Sequence, residues 1–181
     1  MSGTKKTYHL DSKNYFEFFN IEEKFAISLR SLTTHYKKVT TILSEKIQHE
    51  TNILARDRLL FAQRAFETLH HPLERARYII GLHDVDNDLR DSILMEDASL
   101  CSELEYELSQ AVTEEDIELF QENIKEQSDF ILENIEKNID DYKNYEAAAS
   151  LVSAWYDLRE LYEQSKEKKI KLQDGIVFVA F

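Results

Sequence analysis

Apolar side chains recur every three or four residues through most of this chain, which is the spacing of one buried helix face. The segment 63–80 carries the densest such pattern, and Pro72 interrupts it once. Because proline lacks a backbone donor and clashes with the preceding turn, we expect two helical pieces that join at 70–72. The apolar positions of this segment are Ala65, Phe66, Leu69, Leu73, Ala76, Ile79 and Ile80.

Three shorter patterns precede this segment. The aromatic stretch 14–21 is dense enough to predict burial, and by composition it could be a short helix or a strand. The stretch 25–36 predicts a helix, and 40–51 is polar with scattered apolar residues and could be partly helical. The buried face of the helix over 25–36 would carry Phe25, Leu29, Leu32 and Tyr36.

The second half of the chain predicts three more helices after a run of turn-forming residues at 81–91. The second of these should begin after Thr113, because a hydroxyl followed by three acidic residues is a strong N-terminal signal. Three amphipathic helices with short connections should pack as an antiparallel bundle. The last residues, 171–181, are apolar and β-prone, and we assign them no role.

Composition supports an all-α protein, because 181 residues contain only three glycines and one proline. The net charge of −13 disfavours nucleic acid and anionic membrane surfaces and favours a basic or apolar protein partner. The single cysteine excludes an internal disulfide and indicates a reducing compartment. No apolar run reaches the length of a membrane span, and residues 1–13 resemble neither a secretory signal nor a transit peptide. We therefore expect a soluble, intracellular protein.

Candidate chemistry is sparse. The acids around Asp86 suggest a calcium loop but lack the glycine and the distal glutamate at the required offsets. Cys101 lies on an apolar stripe, which predicts a buried structural thiol. His70 and His71 have no ligand partners at zinc-like spacing and are expected to be turn residues. We expect no catalytic residues, no metal and no cofactor.

One stretch resembles a known family. The pattern Ala65-Phe66-x-Thr68-Leu69-x-x-Pro72-Leu73-x-Arg75-Ala76-x-Tyr78 is similar to the end of the J-domain and the start of the linker in HscB-type co-chaperones of iron–sulfur cluster assembly. The aromatic stretch 14–21 resembles the Tyr-Phe-x-x-Phe opening of that family. The alternative is an ordinary amphipathic helical hairpin. The resemblance implies a J-domain-like helical hairpin at 14–80, with the family's loop between its second and third helices at 40–51, and a C-terminal three-helix bundle at 92–170. Composition adds a flexible arm at 1–13, a linker of turn-forming residues at 81–91 and an apolar tail at 171–181 that departs from the family.

The resemblance also implies a chaperone-binding surface. J-domains present a basic second helix to a DnaK-type chaperone, which here assigns Arg30, Lys37 and Lys38. A simpler alternative is that these cations only favour the helix C-terminus. Family members carry His-Pro-Asp directly after the position of Tyr36, and the aspartate helps to trigger ATP hydrolysis. Here the tripeptide is Lys37-Lys38-Val39, so we do not expect ATPase stimulation in the usual way.

A second implied surface would bind an IscU-type iron–sulfur scaffold protein. Leu94, Met95 and Glu96 resemble the Leu-Met-Glu of the family's first bundle helix, and Glu103 and Leu104 also match. Leu94 and Leu104 could equally be core residues. The resulting interpretation is a co-chaperone or adaptor rather than an enzyme, in the cytoplasm or, in a eukaryote, the mitochondrial matrix. The alternative is a degenerate J-like structural or interaction protein that no longer engages the chaperone.

Overall fold

The computed structural model describes residues 14–49, 53–83 and 94–174, and at 49 and 94–100 it describes the backbone only. Over these ranges every regular element is a helix, which confirms the all-α prediction. The chain divides into two compact units, Met1–Ile79 and Ile80–Phe181. The proposed limits of the J-like domain, the linker and the bundle stay predictions.

Unit 1 opens with a short helix, α1, over Tyr15–Phe19, which settles the choice between helix and strand for this aromatic stretch. The Asn14 side chain accepts a hydrogen bond from the Glu17 backbone at 2.8 Å and so caps the first turn. Asn20 ends the helix in the left-handed region, at φ 51°. Its three phenylalanines are all buried.

The next helix, α2, spans Leu29–His49. Its start was predicted too early, because the Ser28 hydroxyl accepts a hydrogen bond from the Ser31 backbone at 3.2 Å and Phe25 is buried ahead of the helix. The helix continues past Tyr36 through residues 40–49, which decides between the two alternatives for this stretch in favour of a helix. No glycine or proline lies between 22 and 71 to stop it.

Helix α3 spans Ile53–His70 and packs against α2 as a helical hairpin. Small residues on α3 face larger ones on α2, and the rings of Tyr36 and Phe66 stack with centroids 4.2 Å apart. The buried residues of the hairpin are Leu32, Val39, Leu43, Ala55, Ala62, Ala65 and Leu69. The family-like segment therefore supplies one side of the core of unit 1.

The predicted bend is confirmed: α3 ends at His70, and α4, over Pro72–Leu82, starts with the proline. Proline is favoured at the first helical position, where its missing N–H has no partner to lose. Arg75 is buried at the bend, donates a hydrogen bond to the Leu69 carbonyl and lies 4.9 Å over the ring of Phe25. This arginine joins the last turn of α3 to α4 and to the segment ahead of α2.

Unit 2 contains α5 (Leu94–Gln110), α6 (Glu114–Glu136) and α7 (Tyr145–Gln173), which confirms the three predicted helices. The expected start of α6 is correct, since Thr113 and Asp116 form a reciprocal capping box. Beyond Glu136 the backbone continues as a π-helical segment, Lys137–Tyr142. Lys143, at φ 54°, ends it, and Asn144 caps α7.

Three side-chain contacts show that α6 and α7 run antiparallel. In these hydrogen-bonded pairs the residue number rises along α6 while it falls along α7. The pairs are Glu114 with Gln173 at 2.9 Å, Glu118 with Lys169 at 2.7 Å, and Gln121 with Ser165 at 2.9 Å. The buried seam between the helices includes Ile117, Phe120, Ile124, Ile131, Ile135, Ile139, Ala148, Val152, Leu158 and Leu161. The calcium-like acids near Asp86 and the tail from Gly175 lie outside the described residues.

Candidate partner-binding faces

The outer side of α2 carries the cations predicted to bind a chaperone. Arg30, Lys37 and Lys38 are all exposed, and Thr34 and Thr41 lie between and beside them on the same side of the helix. Both threonine hydroxyls donate to the carbonyl four residues earlier, at 2.8 and 2.9 Å. No acidic residue occurs in α2 before Glu45. We refer to these five residues as the α2 face.

The backbone at 37–39 is helical, so the α2 face contains no turn at the position where the family has His-Pro-Asp. Val39 is 2% exposed and belongs to the hairpin core, one helical turn after Tyr36. A carboxylate at this position would point into the core and not toward a partner. The burial of Val39 could have been predicted from the sequence. The apolar pattern of one helix face continues through Leu32, Tyr36, Val39 and Leu43 at intervals of three and four residues.

An aromatic cluster fixes α1 within unit 1. The Tyr15 backbone N–H donates to the Tyr78 hydroxyl at 2.9 Å, and the two rings stack with centroids 4.3 Å apart. Phe61 meets Tyr15 edge-on at 5.3 Å. Burial raises the pKa of Tyr78 above its ordinary value of 10.0, while the hydrogen bond from Tyr15 opposes that rise. Tyr78 therefore links α1 to α4.

The predicted scaffold-binding residues all lie on α5. Leu94, Met95 and Glu96 are in its first turns, where side chains are outside the description, and Glu103 is exposed. Leu104 is 3% exposed and belongs to the core of unit 2 together with Leu108. This burial favours the core alternative for Leu104, while the binding face formed by the other residues of α5 stays a prediction.

The C-terminal end of α5 is held by a group of polar contacts that the sequence did not suggest. Lys168 of α7 donates its ammonium group to the Leu108 and Ser109 carbonyls, at 2.6 and 3.0 Å. Asp116 accepts from the Val112 and Thr113 backbones at 3.0 and 2.9 Å. Hydrogen bonds from Thr113 and Val112 lower the pKa of Asp116. Burial lowers the pKa of Lys168, and the Asp116 charge partly offsets that effect.

No further chemical site emerges from the described parts of the chain. Within 14–49, 53–83 and 94–174, no group of three or more His, Cys, Asp or Glu residues is arranged to hold a metal ion. Cys101 is half-buried on α5, less enclosed than the buried thiol that the pattern predicted. Among the helices described, none is both long enough and apolar enough to cross a bilayer.

Comparisons with known proteins agree with this architecture. No protein-family profile matches the chain. The "Co-chaperone protein HscB homolog" of Paraburkholderia phymatum is 29% identical over 97 residues. The aligned region covers 51% of this chain and 55% of the relative, so the chain spans about half of that relative's length. HscB from Vibrio cholerae superposes with a TM-score of 0.69 and 20% identity, covering 91% of this chain and 99% of the other. Human HscB superposes with a TM-score of 0.76 and 16% identity, over 88% and 84% of the two chains.

The sequence comparison and the structural comparison therefore both find similarity to proteins named HscB. The chain is similar in sequence to part of an HscB homologue, and the two structural matches show the same helical fold along most of its length.

Proposed function

We propose that this protein is an HscB-like adaptor that binds an IscU-type iron–sulfur scaffold protein and presents it to a DnaK-type chaperone. The observation that carries the proposal is the match to a whole HscB chain, 99% of which this fold covers. In the proposed arrangement unit 2 holds the scaffold protein through α5, and unit 1 contacts the chaperone through the α2 face. The protein would work by binding, in the compartment where these partners occur, and would catalyse nothing itself.

The contact with the chaperone would differ from the usual one. The family's aspartate sits in a turn and helps to trigger ATP hydrolysis, whereas Val39 here is buried in a continuous helix. Exposed Lys37 and Lys38 repel a basic group on a partner and attract an acidic one. We therefore infer binding to an acidic surface without stimulation of the ATPase.

The same helix favours a second candidate function, an interaction protein that has lost the chaperone contact. The two candidates share the scaffold-binding step and differ only in whether the α2 face engages a chaperone. They are therefore separable with two binding measurements and one activity measurement.

The deciding experiment titrates this protein into a cognate DnaK-type chaperone with and without its IscU-type scaffold protein. ATP turnover is followed alongside direct binding of each partner. Scaffold binding together with chaperone binding and a flat ATPase supports the adaptor. Scaffold binding without chaperone binding supports the second candidate. A failure to bind the scaffold protein would reject both, and strong ATPase stimulation would reject the inference drawn from the helical 37–39 segment.

Charge reversal provides the matched control for the chaperone contact. The double variant K37E/K38E changes two exposed side chains of the α2 face. The single variant K46E alters an exposed lysine on the same helix, outside that face and about 12 Å from Lys38 along the axis. Loss of chaperone binding in K37E/K38E but not in K46E would assign the contact to the α2 face.

A further inference from the structure

Buried and polar contacts hold the C-terminal part of α5 in place. Among residues 101–110, Leu104 and Leu108 are buried, while the side chains further toward the helix start are outside the description. Glu107 adds one side-chain contact to α6, accepting from Asn123 at 3.3 Å. These contacts hold the C-terminal part of α5 against the rest of unit 2.

Lys168 contacts two of the last carbonyls of α5. The last carbonyls of a helix have no intrahelical partner and carry the negative end of the helix dipole. An ammonium group that donates to both Leu108 and Ser109 satisfies two of them at once and ties them to α7. Asp116 orders the connecting residues Val112 and Thr113 from the other side.

We refer to the contacts of Lys168 and Asp116 around residues 108–113 as the corner. The start of α5 lies far from the corner, so a small change of angle there moves the start of the helix by a large distance. Residue 94 lies 14 residues from Leu108, or roughly 21 Å along the helix axis. A swing of about 10° at the corner would displace the start of α5 by roughly 4 Å, which is larger than the tolerance of a specific protein contact. A loosened corner would therefore present the predicted scaffold-binding face in many orientations instead of one.

We propose that Lys168 is a positioning residue for scaffold binding: it touches no partner but holds α5 at the angle from which its first turns engage the scaffold protein. The inference rests on the proposed function, since it takes α5 as the scaffold-binding helix. Neutralising or removing the ammonium group would lower the fraction of molecules with α5 correctly placed, and the apparent affinity falls by that fraction.

The test compares K168M, K168R and K166M for binding to the purified cognate IscU-type scaffold protein. Arginine at 168 can still donate to the same carbonyls. Lys166 is a matched control because it lies on the same helix, has the same charge, and pairs with Glu163 of its own helix at 2.8 Å. We expect about tenfold weaker binding for K168M, recovery in K168R, and no change in K166M.

Amide hydrogen exchange gives the readout that separates positioning from general destabilisation. K168M should exchange faster at 104–111 while the α6–α7 seam around Ile124 and Leu158 stays protected. Unchanged scaffold binding in K168M, or equally fast exchange throughout unit 2, would overturn the inference. If the wild-type protein does not bind the scaffold protein at all, the proposed function fails first. The exchange experiment then still decides whether Lys168 fixes α5.

Discussion

Restoring the family tripeptide at 37–39 is the most direct test of the continuous α2 helix. The triple variant K37H/K38P/V39D would rescue ATPase stimulation if only the side chains were missing. The structure leads to the opposite expectation. Position 38 is the tenth of the 21 residues of α2, so a proline there breaks the helix interior, at a cost of about 3 kcal/mol or more. Val39 is 2% exposed, and losing its burial costs about 1.5–3 kcal/mol before the carboxylate is considered.

These two terms together approach about 5 kcal/mol, the lower end of the stability range of whole domains. Burying an ionised carboxylate adds a further penalty unless the local structure opens to hydrate it. We therefore expect the triple variant to lose much of the structure of unit 1 and to leave the ATPase unstimulated. The damage should appear as a loss of helical circular dichroism at neutral pH.

The assay is urea unfolding of the full chain followed by circular dichroism, with ATP turnover measured on the same preparations. The control is K37H/K38D, which introduces the histidine and the carboxylate at exposed positions without a proline. Its free energy of unfolding should stay within about 0.5 kcal/mol of the wild type. A triple variant that unfolds at the wild-type urea concentration and stimulates the chaperone would show that 37–39 can form a turn, and the reasoning from the buried Val39 would be refuted.

Three further predictions address other parts of the molecule. K37E/K38E should weaken chaperone association and reduce its salt dependence, measured by surface plasmon resonance at two ionic strengths, with K46E unchanged. R75M should lower the free energy of unfolding by about 1.5–3 kcal/mol because the buried guanidinium donates to the Leu69 carbonyl, whereas R77M, at an exposed position of the same helix, should change it by less than about 0.5 kcal/mol. Asp116 has a lowered pKa in the folded protein, so its contribution to stability is present above the ordinary carboxyl pKa of 3.8 and is lost as the pH falls through the folded value. D116N should flatten the acid side of a thermal-midpoint profile at and below pH 3.8, and a profile parallel to the wild type would contradict the capping role.

Elements defined by local chemistry were predictable from the sequence. Pro72 predicted the exact residue at which α4 begins, because the ring of proline fixes φ at a helical value and removes the N–H that a first helical residue does not need. Thr113 marked the start of α6 for the same kind of reason, since its hydroxyl and Asp116 are close in sequence. The three bundle helices followed from apolar spacing.

Features that depend on contacts distant in sequence were not predictable. Arg75 follows the bend in sequence, and only the fold places its guanidinium over Phe25, 50 residues earlier. Lys168 is one of several lysines in a charged stretch, and nothing local distinguishes it from Lys166. The end of α2 is an intermediate case: Val39 and Leu43 continue the apolar pattern, but the resemblance favoured a loop after Tyr36 and outweighed it.

The charges of the two units argue for partners of different character. Met1–Ile79 has 13 Lys and Arg against nine Asp and Glu, a net charge of +4, whereas Ile80–Phe181 has nine against 26, a net charge of −17. A single partner surface of one sign would be attracted by one unit and repelled by the other. An adaptor that binds two different partners avoids this electrostatic repulsion if the chaperone surface is acidic and the scaffold surface is basic or apolar. Under this arrangement added salt weakens the chaperone association, and it also weakens the scaffold association where the scaffold surface is basic. Substitutions that add negative charge to the α2 face weaken only the chaperone association.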